Sequence, residues 1–100
     1  MAKVSQAELD RWHLLNATDV ISKLADYAKV DETFSPIKDS TISRWNVRIR
    51  DRGEYELLVT GPKYYDQRAK TGGGSAIDLV MYLYGIDFKT AASMLRQKGI

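Results

Sequence analysis

The chain contains no cysteine, which excludes a disulfide framework and any thiolate-held metal. Histidine is nearly absent: His13 stands alone, so no His-based metal cluster is expected. Two prolines in 100 residues leave no Pro-rich linker, and neither repeats nor low-complexity tracts are visible. No apolar run reaches membrane-spanning length. The opening Met1-Ala2-Lys3-Val4-Ser5 lacks the apolar segment of a secretory signal, so a cytoplasmic protein without a membrane partner is expected. An excess of one charge is missing too. Fifteen Lys and Arg against thirteen Asp and Glu leave +2, too little to establish a nucleic-acid partner by itself. Catalytic constellations are also absent. There is no Ser/His/Asp arrangement, no cysteine nucleophile, no Gly-x-x-x-x-Gly-Lys-(Ser/Thr) loop and no cluster of metal-binding carboxylates. Neither enzymatic activity nor a cofactor is expected.

What is present describes one folded α+β domain spanning residues 1–100, with 44% apolar residues. Ser5-Gln6-Ala7-Glu8 has the spacing of a capping box. Helical periodicity then runs through Val20, Ile21, Leu24 and Tyr27, with a second start or a bend at Asn16, Thr18 and Asp19. An N-terminal helical segment over 5–29 is therefore expected, followed by a loop over 30–40 that holds Pro36.

Trp45, Val47 and Ile49 alternate with polar residues, as do Tyr55, Leu57 and Val59. Asp51-Arg52-Gly53 and Gly61-Pro62 supply the turns, and Lys63-Tyr64-Tyr65 a short third strand. The pattern predicts a small antiparallel three-stranded sheet over 43–66 whose apolar face is covered by helices. Two helices follow, over 75–84 and 87–97. Ser75 and Asp87 suit their N-caps, and Gly85 suits the stop between them. The first is apolar almost all round and should be central and buried.

The junction Thr71-Gly72-Gly73-Gly74-Ser75 leads into that central helix. Its glycines fit close helix–strand packing, and they also fit a phosphate at a helix N-terminus beside Lys70. Gly73-Gly74-Ser75-Ala76-Ile77-Asp78-Leu79-Val80-Met81 is followed by Tyr84-Gly85-Ile86-Asp87-Phe88-Lys89-Thr90-Ala91. These blocks resemble the hallmark of the zinc-binding domain of bacterial DNA primases, Gly-Gly-x-Ala-Ile-Asp-Phe-x-Met and then Glu-Gly-x-x-Phe-x-x-Ala. The chain is most similar to cysteine-free relatives of that domain in plasmids, phages and other mobile elements. Thr18-Asp19-Val20-Ile21-Ser22 resembles the family's first helix, and Trp45 the aromatic before its first metal-binding knuckle. Gln67 and Lys70 stand where the zinc-binding members carry a Cys-x-x-Cys pair, and Val47 and Arg50 fall near the upstream ligands.

The resemblance implies a zinc-ribbon-like fold that has lost its metal. Packing must then replace a bound zinc that contributes about 10–16 kcal/mol of apparent binding in finger peptides. Trp45, Tyr55, Tyr64, Tyr65 and Phe88 are the expected aromatic contributors. The resemblance further implies a recognition module for single-stranded DNA, or a docking module for a polymerase, primase or helicase of the same element. An inhibitor that mimics the primase domain is a third possibility. The candidate nucleic-acid residues are Arg48, Arg50, Arg52, Lys63, Tyr64, Arg68 and Lys70, drawn from the most basic third of the chain. The duller reading of the same cations is solubility and protection of a sheet edge. Trp12 either is buried or marks a docking surface, and His13 has no evident chemical task.

Overall fold

A computed structural model describes residues 4–33 and 42–100. The class is α+β. The elements run α1 (Gln6–Leu14), α2 (Ala17–Leu24), β1 (Tyr27–Val30), β2 (Ser43–Ile49), β3 (Gly53–Thr60), β4 (Lys63–Asp66), β5 (Thr71–Gly73), α3 (Ala76–Tyr84) and α4 (Phe88–Gln97). The strands form one antiparallel meander in the order β1-β2-β3-β4-β5.

The sheet thus has five strands rather than the expected three. Both additions are edge strands that depend on their neighbours. In β1, Tyr27 pairs with Arg48 and Val30 with Trp45. In β5, Tyr64 pairs with Gly73 and Asp66 with Thr71. The helical segment expected over 5–29 is accordingly two helices and a strand. Leu15 is extended between the helices (φ −71°, ψ 138°). The Ala17 N–H donates to the Gly61 carbonyl at 2.7 Å, which ties the start of α2 to the β3–β4 turn. Tyr27, placed in the helical periodicity, opens β1 instead. Most of the expected loop over 30–40 lies outside the described residues.

Local chemistry accounts for the helix ends. The Ser5 hydroxyl accepts from the Glu8 N–H, and the Glu8 carboxylate accepts from the Ser5 N–H, each at 3.1 Å. The Ser75 hydroxyl accepts from the Asp78 N–H at 3.3 Å, and the Asp87 carboxylate from the Thr90 N–H at 2.9 Å. Gly85 ends α3 with φ +63°, a left-handed conformation that glycine adopts without steric cost.

The described helices pack on one face of the sheet. Ala76, Ile77, Leu79, Val80 and Leu83 of α3 meet Val47, Ile49, Leu57 and Val59 of the sheet, together with Trp12, Val20, Ile21 and Leu95 from the other helices. Trp12 is fully buried, and its indole N–H donates to the backbone oxygen of Ile100 at 3.1 Å. A buried Leu, Ile or Val contributes roughly 1.5–3 kcal/mol, so this layer supplies most of the driving force for folding. Two of the expected core aromatics are elsewhere: Tyr65 and Phe88 are 43% and 40% exposed. Tyr82 takes a place among the rings, stacked on Tyr64 and edge-on to Tyr55 with centroids 5.7 Å apart in both pairs.

Gly72 and Gly73, before α3, serve close packing. A Cβ on Gly72 would lie 2.5 Å from the Tyr64 carbonyl oxygen, and one on Gly73 2.8 Å from the Tyr64 ring. The N-terminus of α3 is occupied by its own acid, since the Asp78 carboxylate accepts from the Gly74 N–H at 3.5 Å. No helix among the described residues is long and apolar enough to cross a membrane.

Candidate nucleic-acid interface

Strand alternation divides the sheet into two faces. Trp45, Val47, Ile49, Tyr55, Leu57, Val59, Tyr64 and Asp66 face the helices. The partners in register between them project the other way: Tyr27 and Lys29 from β1; Arg44, Asn46 and Arg48 from β2; Glu54, Glu56, Leu58 and Thr60 from β3; Lys63 and Tyr65 from β4. None of the described helices covers this outer face, and its side chains are exposed or half-buried.

The outer face is basic and internally paired. Arg48 contacts Glu54 at 2.9 Å, directly across the β2–β3 ladder. Arg44 contacts Asp31 at 2.7 Å and Glu56 at 3.8 Å. Arg68 approaches Glu56 at 3.8 Å. The Asp31 carboxyl is held down at about 2 by the Thr33 hydroxyl first and the Arg44 guanidinium second. The Arg48–Glu54 pair is exposed on both sides and such pairs contribute about 0–1 kcal/mol, so a phosphate can replace its carboxylate at little cost, whereas the Arg44–Asp31 pair is half-buried. The Arg48 guanidinium also lies 5.7 Å from the centre of the Tyr27 ring. Around Leu58, Lys63, Tyr65 and Gly72 the same face carries a groove of about 540 Å³.

The seven residues picked from the sequence do not form one surface. Arg48 and Lys63 belong to the outer face, and Arg68 reaches it through Glu56. Lys70 is exposed in the β4–β5 turn with φ +55°. Arg50 follows β2, and its backbone N–H donates to the Asp26 carboxylate at 2.6 Å. Arg52 lies against the other layer, where its Nε donates to the Leu83 carbonyl at 3.2 Å. It neutralises the partial negative charge at the end of α3, and that contact removes it from the outer face.

Tyr64 is likewise an inner residue. It is 6% exposed and its hydroxyl donates to the Asp78 carbonyl at 3.3 Å. Burial pushes the phenol up to about 12, with Asp78 adding to the effect. The exposed rings on the outer face are Tyr65, its neighbour, and Tyr27, at 43% and 46%. Tyr27 escaped sequence reasoning because its strand pairing is non-local. The alternation of Tyr64 and Tyr65 was legible, but not which of them faces outward.

Asp66 is a second residue whose role was hidden. It is 5% exposed on the inner face. One carboxylate oxygen accepts from the Arg68 and Ala69 N–H groups at 3.0 and 3.3 Å, and the other accepts from the Tyr82 hydroxyl at 2.5 Å. It thereby fastens the turn that carries Arg68 to helix α3. Burial, and then the Asp66 hydrogen bond, raise the Tyr82 phenol far above its ordinary range. His13 is exposed. Among the described residues no three His, Asp or Glu side chains converge to hold a metal ion.

The chain is similar over part of its length to a protein of Zymomonas mobilis described as "65 kDa protein". They are 41% identical over 44 residues, covering 44% of this chain. The match spans only 8% of that protein's length. No family model matches the chain, and no solved structure matches its fold.

Proposed function

We propose that this chain is a non-enzymatic module that binds single-stranded DNA, as an accessory to the replication, priming or transfer of a mobile element. In this reading it is a cytoplasmic, metal-free counterpart of the primase zinc-binding domain, working beside a polymerase, primase or helicase. The observation that carries the reading is the sheet face that none of the described helices covers, where Tyr27 and Tyr65 stand exposed among Lys29, Arg44, Arg48, Lys63 and Arg68. Rings that stack bases, interleaved with cations that meet phosphates, are what a single strand requires. A stacked base is worth about 1–3 kcal/mol, and phosphate contacts add a salt-dependent background. The match to a small part of a much longer protein is in keeping with a module that operates with other domains.

A second reading is a protein-interaction adaptor, such as an activating subunit of a separate polymerase or primase. It is favoured by the internal neutralisation of Arg44 and Arg48 and by the groove beside Leu58. Titration of a labelled oligonucleotide at low and moderate salt separates the two. Single-strand binding predicts affinity that falls with salt, and Arg48→Ala or Arg68→Ala should each reduce the salt slope by about one. No binding at low salt would overturn the first reading and leave the adaptor.

A further inference from the structure

Beside the Tyr27–Arg48 contact lies a cleft of about 120 Å³, lined by Tyr27, Asn46, Arg48, Glu54 and Arg68 on the outer face. It is smaller than the roughly 300–1,000 Å³ of sites that enclose a whole drug-sized ligand. A single flat group resting against the sheet suits it better than an enclosed nucleotide.

Its chemistry is unlike that of a plain phosphate site. The Arg48 guanidinium lies over the face of the Tyr27 ring, 5.7 Å from its centre, so a base can continue the stack. Both groups stack with nucleobases. Arg48 is held in place by Glu54 through two hydrogen bonds from Nε and Nη2, at 3.3 and 2.9 Å. Asn46 stands between Lys29 and Glu56 in the ladder and is exposed. A side-chain amide offers a donor and an acceptor side by side, the pattern that pairs bidentately with adenine. Arg68, 68% exposed at its side chain, stands at the cleft with a charge for the adjoining phosphate.

We infer that this cleft holds one base of the bound strand, adenine in preference, stacked against Tyr27 and Arg48 and hydrogen-bonded by the Asn46 amide. The inference rests on the single-strand reading and adds to it. The module does not merely follow the sugar–phosphate backbone but takes a base at one defined position. Tyr27 and Asn46, neither of them a cation, become recognition residues.

The test compares short oligo(dA), oligo(dT) and an abasic sugar–phosphate strand of equal length, at one salt concentration, on the intact chain. Oligo(dA) is expected to bind at least about fivefold tighter than the abasic strand, with oligo(dT) between them. Asn46→Ala should remove the preference for oligo(dA) over oligo(dT) while leaving abasic binding unchanged, and Tyr27→Ala should weaken oligo(dA) binding by about fivefold. Both positions are exposed, and an unchanged thermal midpoint establishes that the variants are folded. A strand carrying 2-aminopurine should lose fluorescence on binding, and Tyr27→Ala should diminish the quench. Equal affinities for oligo(dA) and the abasic strand, or a preference for oligo(dA) over oligo(dT) that persists in Asn46→Ala, would overturn the base site and leave backbone binding standing. Failure of every strand to bind would remove both.

Discussion

The two faces of the sheet solve opposite problems with similar residue types. On the inner face each tyrosine hydroxyl has a fixed partner: Tyr55 the Leu83 carbonyl, Tyr64 the Asp78 carbonyl, Tyr82 the Asp66 carboxylate. Among the described residues no buried side-chain nitrogen or oxygen lacks a partner. On the outer face Tyr27 and Tyr65 are exposed, and Arg48 pairs with a carboxylate, Glu54, that is itself wet. The difference is one of exchangeability. Breaking an inner hydrogen bond strands a polar group away from water, at about 1–3 kcal/mol. Breaking the exposed Arg48–Glu54 pair returns both ions to solvent at almost no cost. The inner face stores stability, and the outer face is free to trade its contacts for a ligand's.

That contrast can be broken or sharpened by mutation. Leu79→Ala, at a fully buried position, should have the largest effect, lowering unfolding free energy by about 2–5 kcal/mol in urea titration. Next comes the glycine run. Gly72→Ala drives a methyl group to 2.5 Å from a backbone oxygen, whereas a Cβ on Gly74 meets nothing within 4 Å. The first should cost about 1–3 kcal/mol and the second leave the thermal midpoint unchanged or slightly raised.

A smaller effect is expected in acid. Glu8 is lowered from 4.5 to about 2, chiefly by the Arg96 guanidinium, and Asp31 from 3.8 to about 2. A carboxyl depressed in the folded state stabilises it above the unfolded pKa and loses that contribution as pH falls through the folded one. Stability should therefore decline between about pH 4.5 and 2, and Glu8→Gln should flatten the decline. The smallest stability change belongs to Tyr65→Ala, within about 0.5 kcal/mol. The same substitution should weaken oligonucleotide binding by about fivefold or more. An equal loss of stability and binding there would erase the distinction between the faces.

Much of this architecture was legible along the chain because its causes are local. The capping box at Ser5, the caps at Ser75 and Asp87, the glycine stop at Gly85 and the alternation in β2 and β3 each arise within a few residues. The missed strands have other causes. Tyr27 continues the spacing of Val20, Ile21 and Leu24, so nothing in its neighbourhood signals the change, and β1 exists only through pairing with β2. Thr71-Gly72-Gly73 has little intrinsic strand preference, and it is held extended by β4. Among the candidate site residues, Arg52 was misplaced because a cation near a turn looks alike whether it meets solvent or a helix end.

The sequence alone determined the α+β class, the central apolar helix, the capped ends and the period-two strands, because these follow from side-chain chemistry and spacing at short range. Only the tertiary structure decided that Tyr64 lies inside and Tyr65 outside, that Asp66 anchors a turn to α3, and that Tyr27, Asn46 and Arg48 share one cleft. Alternation fixes relative orientation along a strand. Which side is buried depends on where the helices settle and which distant strands pair.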